Sequence, residues 1–195
     1  MNDDVASWRK AERARLIEGR LAIPAAAREE LTRRIADQLE ELIGDPQGLI
    51  VSAYWPFRAE PDLKPLLARL RERGAITALP VVVKKGQPLI FRAWKSGDKL
   101  ERGVWNIPFP AQGEEVVPDV AIAPVVGFDR ECFRLGYGGG FFDRTLAALP
   151  RLPRFFGVGY AMQEIPTIRP QPHDIAMVAV VTENEAVLPR KRDHA

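Results

Sequence analysis

The segment from Arg134 to Asp143, RLGYGGGFFD, contains the residues whose types and spacing are best suited to chemistry. Four glycines fall within five residues, with an arginine before them and an aspartate after them. Glycine loses more backbone entropy on folding than other residues, so this cluster indicates left-handed backbone or a close approach of the backbone to a ligand. Backbone N–H groups exposed in such a loop, followed by a helix N-terminus, form an anion site suited to phosphate.

The two charged residues that flank the glycines extend this interpretation. The planar guanidinium of Arg134 can make a bidentate contact with phosphate oxygens. The carboxylate of Asp143 can hold a hard cation such as Mg²⁺, which proteins bind through few carboxylates together with substrate phosphates. The alternative is a tight strand-to-helix turn in which Asp143 only stabilises the helix dipole. The segment matches neither the GxxxxGK[ST] nor the GxGxxG phosphate motif, so spacing alone leaves both interpretations open.

The pattern of apolar residues predicts the elements that position this loop. Two helices are expected between residues 4 and 44, with Pro24 opening the second and Gly44 closing it. The continuous apolar run GLIVSAYW at residues 48–55 is typical of a buried parallel strand. The other predicted elements are helices at residues 62–73 and 142–149, strands at residues 75–83, 88–94, 119–128, 154–161 and 176–183, and a loop at residues 97–118.

Strands that alternate with helices predict an α/β fold with a mostly parallel sheet and helices on both faces. No domain boundary is evident, so we expect one domain over residues 1–195, with helices at residues 4–44 packed on an α/β core at residues 48–185. The glycine loop follows a buried strand, and ligands bind beyond the carboxyl ends of the strands in open α/β sheets. We therefore expect the loop at a ligand site.

Composition argues against several functional classes. The 28 basic and 26 acidic residues nearly cancel, whereas nucleic-acid-binding proteins usually carry a basic excess on one face. The longest apolar runs are strand-sized and the N-terminus is acidic without an apolar core, so neither a membrane span nor a secretory signal is predicted. The single cysteine, Cys132, cannot form an internal disulfide and indicates a reducing compartment. We expect a cytoplasmic monomer that binds neither nucleic acid nor membrane.

A longer stretch around the glycines, GFDRECFRLGYGGGFFDRTLA at residues 127–147, resembles the signature of the 5-formyltetrahydrofolate cyclo-ligases, also called 5,10-methenyltetrahydrofolate synthetases. Further segments resemble that family in the same order: YWPFRAEPDL, GVWNIPFP, GVGYAMQEIPTIRPQPHD and VVTE. The resemblance covers nearly the whole chain. It implies a three-layer α/β fold similar to those of the sugar-phosphate isomerases and CoA-transferases.

The resemblance also implies a reaction, in which ATP and 5-formyltetrahydrofolate give ADP, phosphate and 5,10-methenyltetrahydrofolate. Transfer of the γ-phosphoryl group to the formyl oxygen makes that oxygen a good leaving group, and N10 of the folate then closes the ring. Such catalysis depends on positioning and charge neutralisation more than on a protein nucleophile. ATP as co-substrate and Mg²⁺ as cofactor are therefore expected.

The resemblance assigns roles to residues in three parts of the chain. Arg134 and Asp143 would be catalytic, with Asp143 binding Mg²⁺. On the N-terminal helix, a basic pair formed by Arg13 with either Arg9 or Lys10 would contact ATP. The loop residues expected to bind ATP are Arg134, Leu135, Gly136, Tyr137, Gly138, Gly139, Gly140, Phe141 and Phe142. The residues expected to bind the folate are Trp55, Glu60, Trp105, Tyr137 and Phe141. A further matching segment contains Tyr160 and Gln163.

Without the resemblance, most of these residues have a plainer interpretation. Basic residues on the N-terminal helix could form a solvated face. Glu60 could be a favourable acidic residue near a helix start, where it stabilises the helix dipole. Trp55 and Trp105 could be packing residues.

Three departures from the family pattern bear on activity. Gly139 stands where members often have lysine, and Phe141 and Phe142 replace a common pair of tyrosines. Val178 stands where the family usually has the aspartate that supplies a second metal ligand, so weaker Mg²⁺ binding and reduced activity are expected. Val178 also motivates a second function, a folate-binding protein of the same family with reduced or lost turnover. A third is an isomerase or transferase of the same fold that needs no ATP.

Overall fold

The computed structural model describes residues 2–189, so residue 1 and residues 190–195 of the predicted domain lie outside the described part. The α-helices of the described part are α1 (Asn2–Leu21), α2 (Ala25–Ile43), α3 (Lys64–Glu72) and α4 (Phe141–Ala148). The strands are β1 (Ile50–Ser52), β2 (Ile76–Val81), β3 (Ile90–Ala93), β4 (Leu100–Arg102), β5 (Pro108–Pro110), β6 (Glu115–Val116), β7 (Val120–Pro124), β8 (Gly127–Phe128), β9 (Arg134–Leu135), β10 (Arg154–Val158), β11 (Ala179–Val181) and β12 (Ala186–Val187).

An eight-stranded sheet with the order β12-β11-β10-β7-β1-β2-β3-β6 forms the centre of the fold. The five neighbouring strands from β11 to β2 run parallel to one another. At the two ends of the sheet, β12, β3 and β6 pair antiparallel with their neighbours. The predicted α/β class with a mostly parallel sheet and flanking helices is therefore confirmed.

Alternate residues of the strands build a core on each face of this sheet. Val120 and Ile122 of β7 pack in the cluster that contains α2 and α3, while Ala121 and Ala123 pack in the cluster that contains Leu146 of α4. This alternation is the period of two that a strand imposes on its side chains. The molecule consequently has three layers, with α2 and α3 on one face and α4 on the other.

Helix α1 packs at the carboxyl-end side of the sheet. Its buried Leu16 belongs to a small apolar cluster that includes Val126, Leu135, Ile165 and Ile168. The antiparallel hairpin formed by β8 and β9 contributes to the same cluster and stands apart from the main sheet. This packing brings one face of α1 close to the segment that follows β9.

Two regions differ from the sequence prediction. The predicted loop at residues 97–118 contains the antiparallel hairpin of β4 and β5 and the edge strand β6. The predicted strand at residues 119–128 ends at Pro124 and resumes as β8, because the backbone N–H of Val126 bonds to Leu135 of β9 instead of to the main sheet. Both differences come from pairing between segments, which apolar patterning along one segment does not encode.

Among the helices of residues 2–189, none combines the length and the apolar character that a membrane crossing requires.

Candidate active site

A cavity of about 230 Å³ opens beyond the carboxyl ends of β1, β2 and β7. Tyr54 follows β1, Val82 follows β2 and Pro124 ends β7, and all three line the cavity. This is the edge of a parallel sheet at which α/β proteins bind ligands. All the residues assigned above to ATP, folate and metal, except Lys10, line this one cavity.

The glycine loop, residues 136–140, forms one wall of the cavity. Gly138 and Gly140 have left-handed backbone, with φ of 93° and 60°. A Cβ atom on Gly138 would lie 3.3 Å from Cζ of Arg13, and one on Gly139 would lie 2.7 Å from a ring carbon of Phe141. Conformation and space therefore both favour glycine here.

Arg134 and Asp143 form an ion pair at the base of the glycine loop. Nη2 of Arg134 donates to Oδ2 of Asp143 at 2.9 Å, and both side chains are largely buried, with 7% and 13% of their surface exposed. The guanidinium lies over the rings of Phe142 and Phe155, and Oδ1 of Asp143 accepts from the Ile175 backbone N–H. Burial lowers the pKa of Arg134, partly offset by Asp143.

Arg134 also carries a buried polar atom without a partner. No hydrogen-bond acceptor among residues 2–189 reaches its Nε. Such an orphaned donor is costly in a folded protein, and functional sites are one place where it is found. Arg134 as a residue lines the cavity, where a guanidinium can pair with an anionic ligand.

Helix α1 contributes two further arginines to the cavity. Arg9 donates to Asp174 at 2.5 Å and to the carbonyls of Ile168 and Arg169. Nε of Arg13 donates to the carbonyl of Gly136 at 2.7 Å. Residues four apart share a helix face, so Arg9 and Arg13 point the same way, whereas Lys10 is exposed and lies outside the cavity lining.

Glu60 is a buried carboxyl group that also lines the cavity. Its Oε1 accepts from the Tyr137 hydroxyl at 2.7 Å, and its Oε2 accepts from the Phe57 backbone N–H at 2.9 Å. Arg20 is 3.7 Å away. Burial raises the pKa of Glu60 to about 7, against the lowering effects of Arg20, Tyr137 and the Phe57 N–H. A carboxyl group with this pKa changes charge near neutral pH.

Aromatic rings cover the region beside Glu60. Trp105 stacks on Phe57, with ring centroids 6.3 Å apart and planes 7° apart, and its centroid is 5.9 Å from that of Tyr137. Trp105 remains 52% exposed, so one face is available for contact. Trp55 stands nearby, edge-on to Trp94. Aromatic surface of this kind suits a flat ring system.

The remaining predicted residues lie away from the cavity. Tyr160 and Gln163 are buried; the Tyr160 hydroxyl donates to the carbonyl of Ala59, and the Gln163 amide donates to the carbonyls of Val125 and Val126. Both therefore hold loops in place. Val178 precedes β11 with a 45% exposed side chain and is outside the cavity lining.

The carboxylates that line the cavity are Glu60, Asp143 and Asp174. Because Val178 is not among the lining residues, the geometry gives no support for a metal effect of this position, and Asp174 provides a second carboxylate beside Asp143. The described residues contain no group of three or more histidine, cysteine or acidic side chains placed to hold a metal by themselves. A bound metal would therefore need oxygen ligands from a substrate as well.

Sequence reasoning missed Arg20 and Phe57. Phe57 carried no signal beyond its place in the YWPFRAEPDL segment. The sequence did carry a signal for Arg20. This residue follows the apolar Leu16 by four residues and therefore lies on the buried face of α1. An arginine on such a face needs buried partners.

Comparison with known proteins gives concordant results. A sequence profile of the 5-formyltetrahydrofolate cyclo-ligase family matches residues 5–183. The 5-formyltetrahydrofolate cyclo-ligase of Mycolicibacterium smegmatis is 31% identical over 184 residues, which cover 90% of this chain and 94% of the relative. The Escherichia coli K12 protein of the same name is 33% identical over 143 residues, covering 69% of this chain and 78% of the relative.

Solved structures agree with the sequence comparison. The NMR structure of Aquifex aeolicus 5,10-methenyltetrahydrofolate synthetase superposes with a TM-score of 0.80 at 27% identity, covering 96% of this chain and 94% of that one. The Mycoplasma pneumoniae 5,10-methenyltetrahydrofolate synthetase shares the fold, with a TM-score of 0.75 at 20% identity over 90% of this chain and 98% of that one. This chain belongs to the 5-formyltetrahydrofolate cyclo-ligase family of enzymes.

Proposed function

We propose that this chain uses ATP to cyclise 5-formyltetrahydrofolate to 5,10-methenyltetrahydrofolate, releasing ADP and phosphate. The observation that carries the proposal is the composition of the cavity. Its lining combines the glycine loop, Arg13 and Arg134 with aromatic rings and the buried Glu60. An anionic group and a flat heterocycle can therefore meet in a single cavity.

The glycine loop supports the assignment of the phosphate end. Four of its five residues are glycines, which place no side chain between the backbone and the cavity, and α4 begins directly after Gly140. Backbone N–H groups in such a place attract phosphate oxygens, and nearby guanidinium groups strengthen the attraction. The unpartnered Nε of Arg134 adds a donor that an anion would satisfy.

Asp143, with Asp174 beside it, fits the binding of Mg²⁺ together with ATP. Each oxygen of Asp143 accepts one hydrogen bond in the structure, so each keeps one lone pair. Mg²⁺ prefers oxygen ligands and commonly takes only one or two carboxylates plus phosphate oxygens and water. The ion would supply charge neutralisation at the phosphates, where a lysine common in the family is replaced by Gly139.

The aromatic end supports the assignment of the folate. Trp105 and Phe57 offer ring faces for stacking, and the carboxyl of Glu60 can accept hydrogen bonds from the N–H groups of a pterin. Tyr137 belongs to the glycine loop and contacts Glu60, so it links the two ends. A folate ring held this way would direct its formyl group toward the phosphate end.

The chemical step follows from this placement. The formyl oxygen attacks the γ-phosphorus of ATP, ADP leaves, and the phosphorylated oxygen becomes a good leaving group. N10 attacks the formyl carbon and loses its proton, which the phosphate group can take up, and phosphate departs as the ring closes. Arg13 and Arg134 would hold the phosphates in line.

We further propose that the protein acts as a monomer on two small molecules, in a reducing cytoplasm, without nucleic acid or membrane as a partner. The single cysteine, Cys132, motivates the reducing compartment, and in the structure it is buried with its thiol donating to the Val187 carbonyl. Burial raises the pKa of this thiol to about 11, which makes it a poor redox group.

An absorbance assay tests the proposed function. Purified protein, 5-formyltetrahydrofolate, ATP and Mg²⁺ are combined, and the near-ultraviolet band of the methenyl product is followed while each component is omitted in turn. We expect the band to grow only in the complete mixture. Folate binding without product would favour the binding protein with lost turnover, and absence of folate binding would favour an isomerase or transferase.

A further inference from the structure

Arg20 is a charged residue that the reaction described above does not use. Its side chain is 0% exposed, in the last turn of α1, and it is not among the residues that line the cavity. Burying a guanidinium costs desolvation free energy unless its charge and N–H groups find partners. The partners of Arg20 therefore indicate what the residue does.

The guanidinium of Arg20 joins three separate segments. Its Nε donates to the carbonyl of Arg58 at 2.9 Å, in the loop that precedes α3. Its Nη1 donates to the carbonyl of Val125 at 3.2 Å, directly after β7. Its Nη2 donates to the hydroxyl of Tyr137 at 2.5 Å, in the glycine loop. These contacts fix the glycine loop relative to the segment that contains Glu60.

The Tyr137 hydroxyl connects Arg20 with Glu60. It accepts a hydrogen bond from Arg20 and donates its proton to Oε1 of Glu60 at 2.7 Å. A hydroxyl can accept through its lone pairs and donate its single proton, and an ionised carboxylate can only accept, so Tyr137 accepts from Arg20 while it donates to the ionised form of Glu60. Both Glu60 and Tyr137 line the cavity, whereas Arg20 lies behind them.

We infer that Arg20 is a positioning residue, which acts through Tyr137 to favour the ionised form of Glu60 and to aim it as a hydrogen-bond acceptor into the aromatic end of the cavity. A site of this kind selects a heterocycle whose edge presents N–H donors and rejects one that presents acceptors. The identity of that heterocycle rests on the proposed function; the link between Arg20, Tyr137 and Glu60 does not.

The charges around Glu60 agree with this role. The ionisable groups that face it are Arg20 from α1, Tyr137 from the glycine loop and Tyr54 from the segment after β1. Burial raises the pKa of both tyrosines, so they are neutral near pH 7. Arg20 is therefore the charge that favours the carboxylate, and it opposes the burial that raises the pKa of Glu60 to about 7.

The direct test is a pH titration of the Glu60 carboxyl by NMR in the ligand-free full chain, with the signal assigned by its loss in Glu60→Gln. We expect a midpoint near 7 in the wild type. Arg20→Gln should raise that midpoint by about 1 to 3 pH units, because a nearby cation lowers a carboxyl pKa by that amount. Arg33→Gln, an exposed arginine on α2, is the matched control and should leave the midpoint unchanged.

Tyr137→Phe is the second variant, since it removes only the bridging hydroxyl. It should also raise the Glu60 midpoint, because the hydrogen bond from Tyr137 favours the carboxylate. An unchanged midpoint in folded Arg20→Gln overturns the inference. Where Arg20→Gln does not fold, an unchanged midpoint in Tyr137→Phe overturns it.

Kinetics separate a positioning role from a merely structural one. With 5-formyltetrahydrofolate as the probe, Arg20→Gln should raise KM for the folate at pH 7 by about tenfold and raise KM for ATP by a smaller factor. The acidic limb of kcat/KM should move to higher pH together with the Glu60 midpoint, and the change should add little to Glu60→Gln. A lower stability with unchanged KM values and pH profile would overturn the inference. A wild type that fails to bind folate would instead contradict the proposed function, and the NMR midpoints would still decide the role of Arg20.

Discussion

Charged side chains are buried at the cavity, and their burial lowers the stability of the fold. Arg20 with Glu60 and Arg134 with Asp143 are ion pairs whose four side chains are largely or fully buried. The desolvation of two charges offsets most of their attraction, so a buried pair contributes little to stability in comparison with apolar residues. The Arg134–Asp143 pair lines the cavity, and the Arg20–Glu60 pair reaches it through Glu60, so both pairs are better explained by ligand recognition than by folding.

The glycines of the glycine loop are expected to matter both for folding and for ATP binding. Gly138→Ala should lower the free energy of unfolding by about 1 kcal/mol, because alanine at positive φ is strained, and it should raise KM for ATP because its Cβ would displace Arg13. Gly86→Ala is the matched control, since Gly86 also has positive φ but its Cβ would meet no atom within 4 Å. Urea unfolding and initial rates measure the two effects. Equal KM values for ATP in both variants would contradict the assigned phosphate wall.

At the scale of elements, the hairpin of β4 and β5 forms the outer part of the cavity. Trp105 and Asn106 at its tip both have left-handed backbone, with φ of 55° and 60°. Such conformations are uncommon outside glycine and persist where surrounding contacts hold them. In this hairpin, the stacking of Trp105 on Phe57 stabilises the left-handed conformation. The hairpin thus presents an exposed aromatic face to the cavity.

Removing this aromatic face should affect folate binding more than folding. Trp105→Ala should weaken binding of 5-formyltetrahydrofolate by about two- to tenfold, because an aromatic pair contributes roughly 0.5–1.5 kcal/mol. The loss of stability should be small because Trp105 is 52% exposed. Fluorescence titration and thermal unfolding measure both quantities. Leu152→Ala, an exposed apolar residue outside the cavity lining, is the control; a matching affinity in the two variants would exclude Trp105 from the folate site.

The main elements of the fold could be predicted because their signals are local. The apolar spacing in α2 and the continuous run around β1 each lie within one segment, and capping residues such as Pro24 and Gly44 mark the helix ends. The hairpins of β4 with β5 and β8 with β9 were missed. Their strands are two or three residues long, and they exist because of partners elsewhere in the chain.

Some residues of the candidate site could be predicted from one segment of the sequence, whereas others required the family resemblance or the fold. The glycine loop, Arg134 and Asp143 are contiguous, so their chemistry could be recognised from one segment. Glu60 and Trp105 were assigned only through the family resemblance, because their meeting with Tyr137 depends on the tertiary structure. The choice between Arg9 and Lys10 also required the fold, which directs Arg9 to the cavity lining and leaves Lys10 exposed.

At the scale of the whole molecule, α1 organises the site from outside the sheet. Arg9, Arg13 and Arg20 lie within about 40° of one another around the helix axis, since spacings of four and eleven residues return to the same face. Arg9 holds the segment at Asp174, Arg13 holds Gly136, and Arg20 holds Tyr137 and Arg58. The helix thus fixes three loops of distant sequence against one another.

Helix α4 and the segment around Asp174 meet at the cavity, and this meeting predicts how activity depends on Mg²⁺. Asp143→Asn should raise the Mg²⁺ concentration needed for half-maximal activity, because it removes the carboxylate beside the glycine loop. Val178→Asp should leave the Mg²⁺ dependence unchanged, since the side chain of Val178 is exposed and outside the cavity lining. Rates measured against Mg²⁺ concentration test both variants. A lower Mg²⁺ requirement in Val178→Asp would restore the metal role that the family pattern assigns to this position.

We propose that one cavity holds the triphosphate and the folate together. A crystal structure with a non-hydrolysable ATP analogue, Mg²⁺ and 5-formyltetrahydrofolate would show whether it does. We expect the triphosphate against residues 136–140 and Arg134, the pterin between Trp105 and Glu60, and the formyl oxygen next to the γ-phosphate. A nucleotide bound outside this cavity, with the glycine loop making no phosphate contact, would refute the proposal.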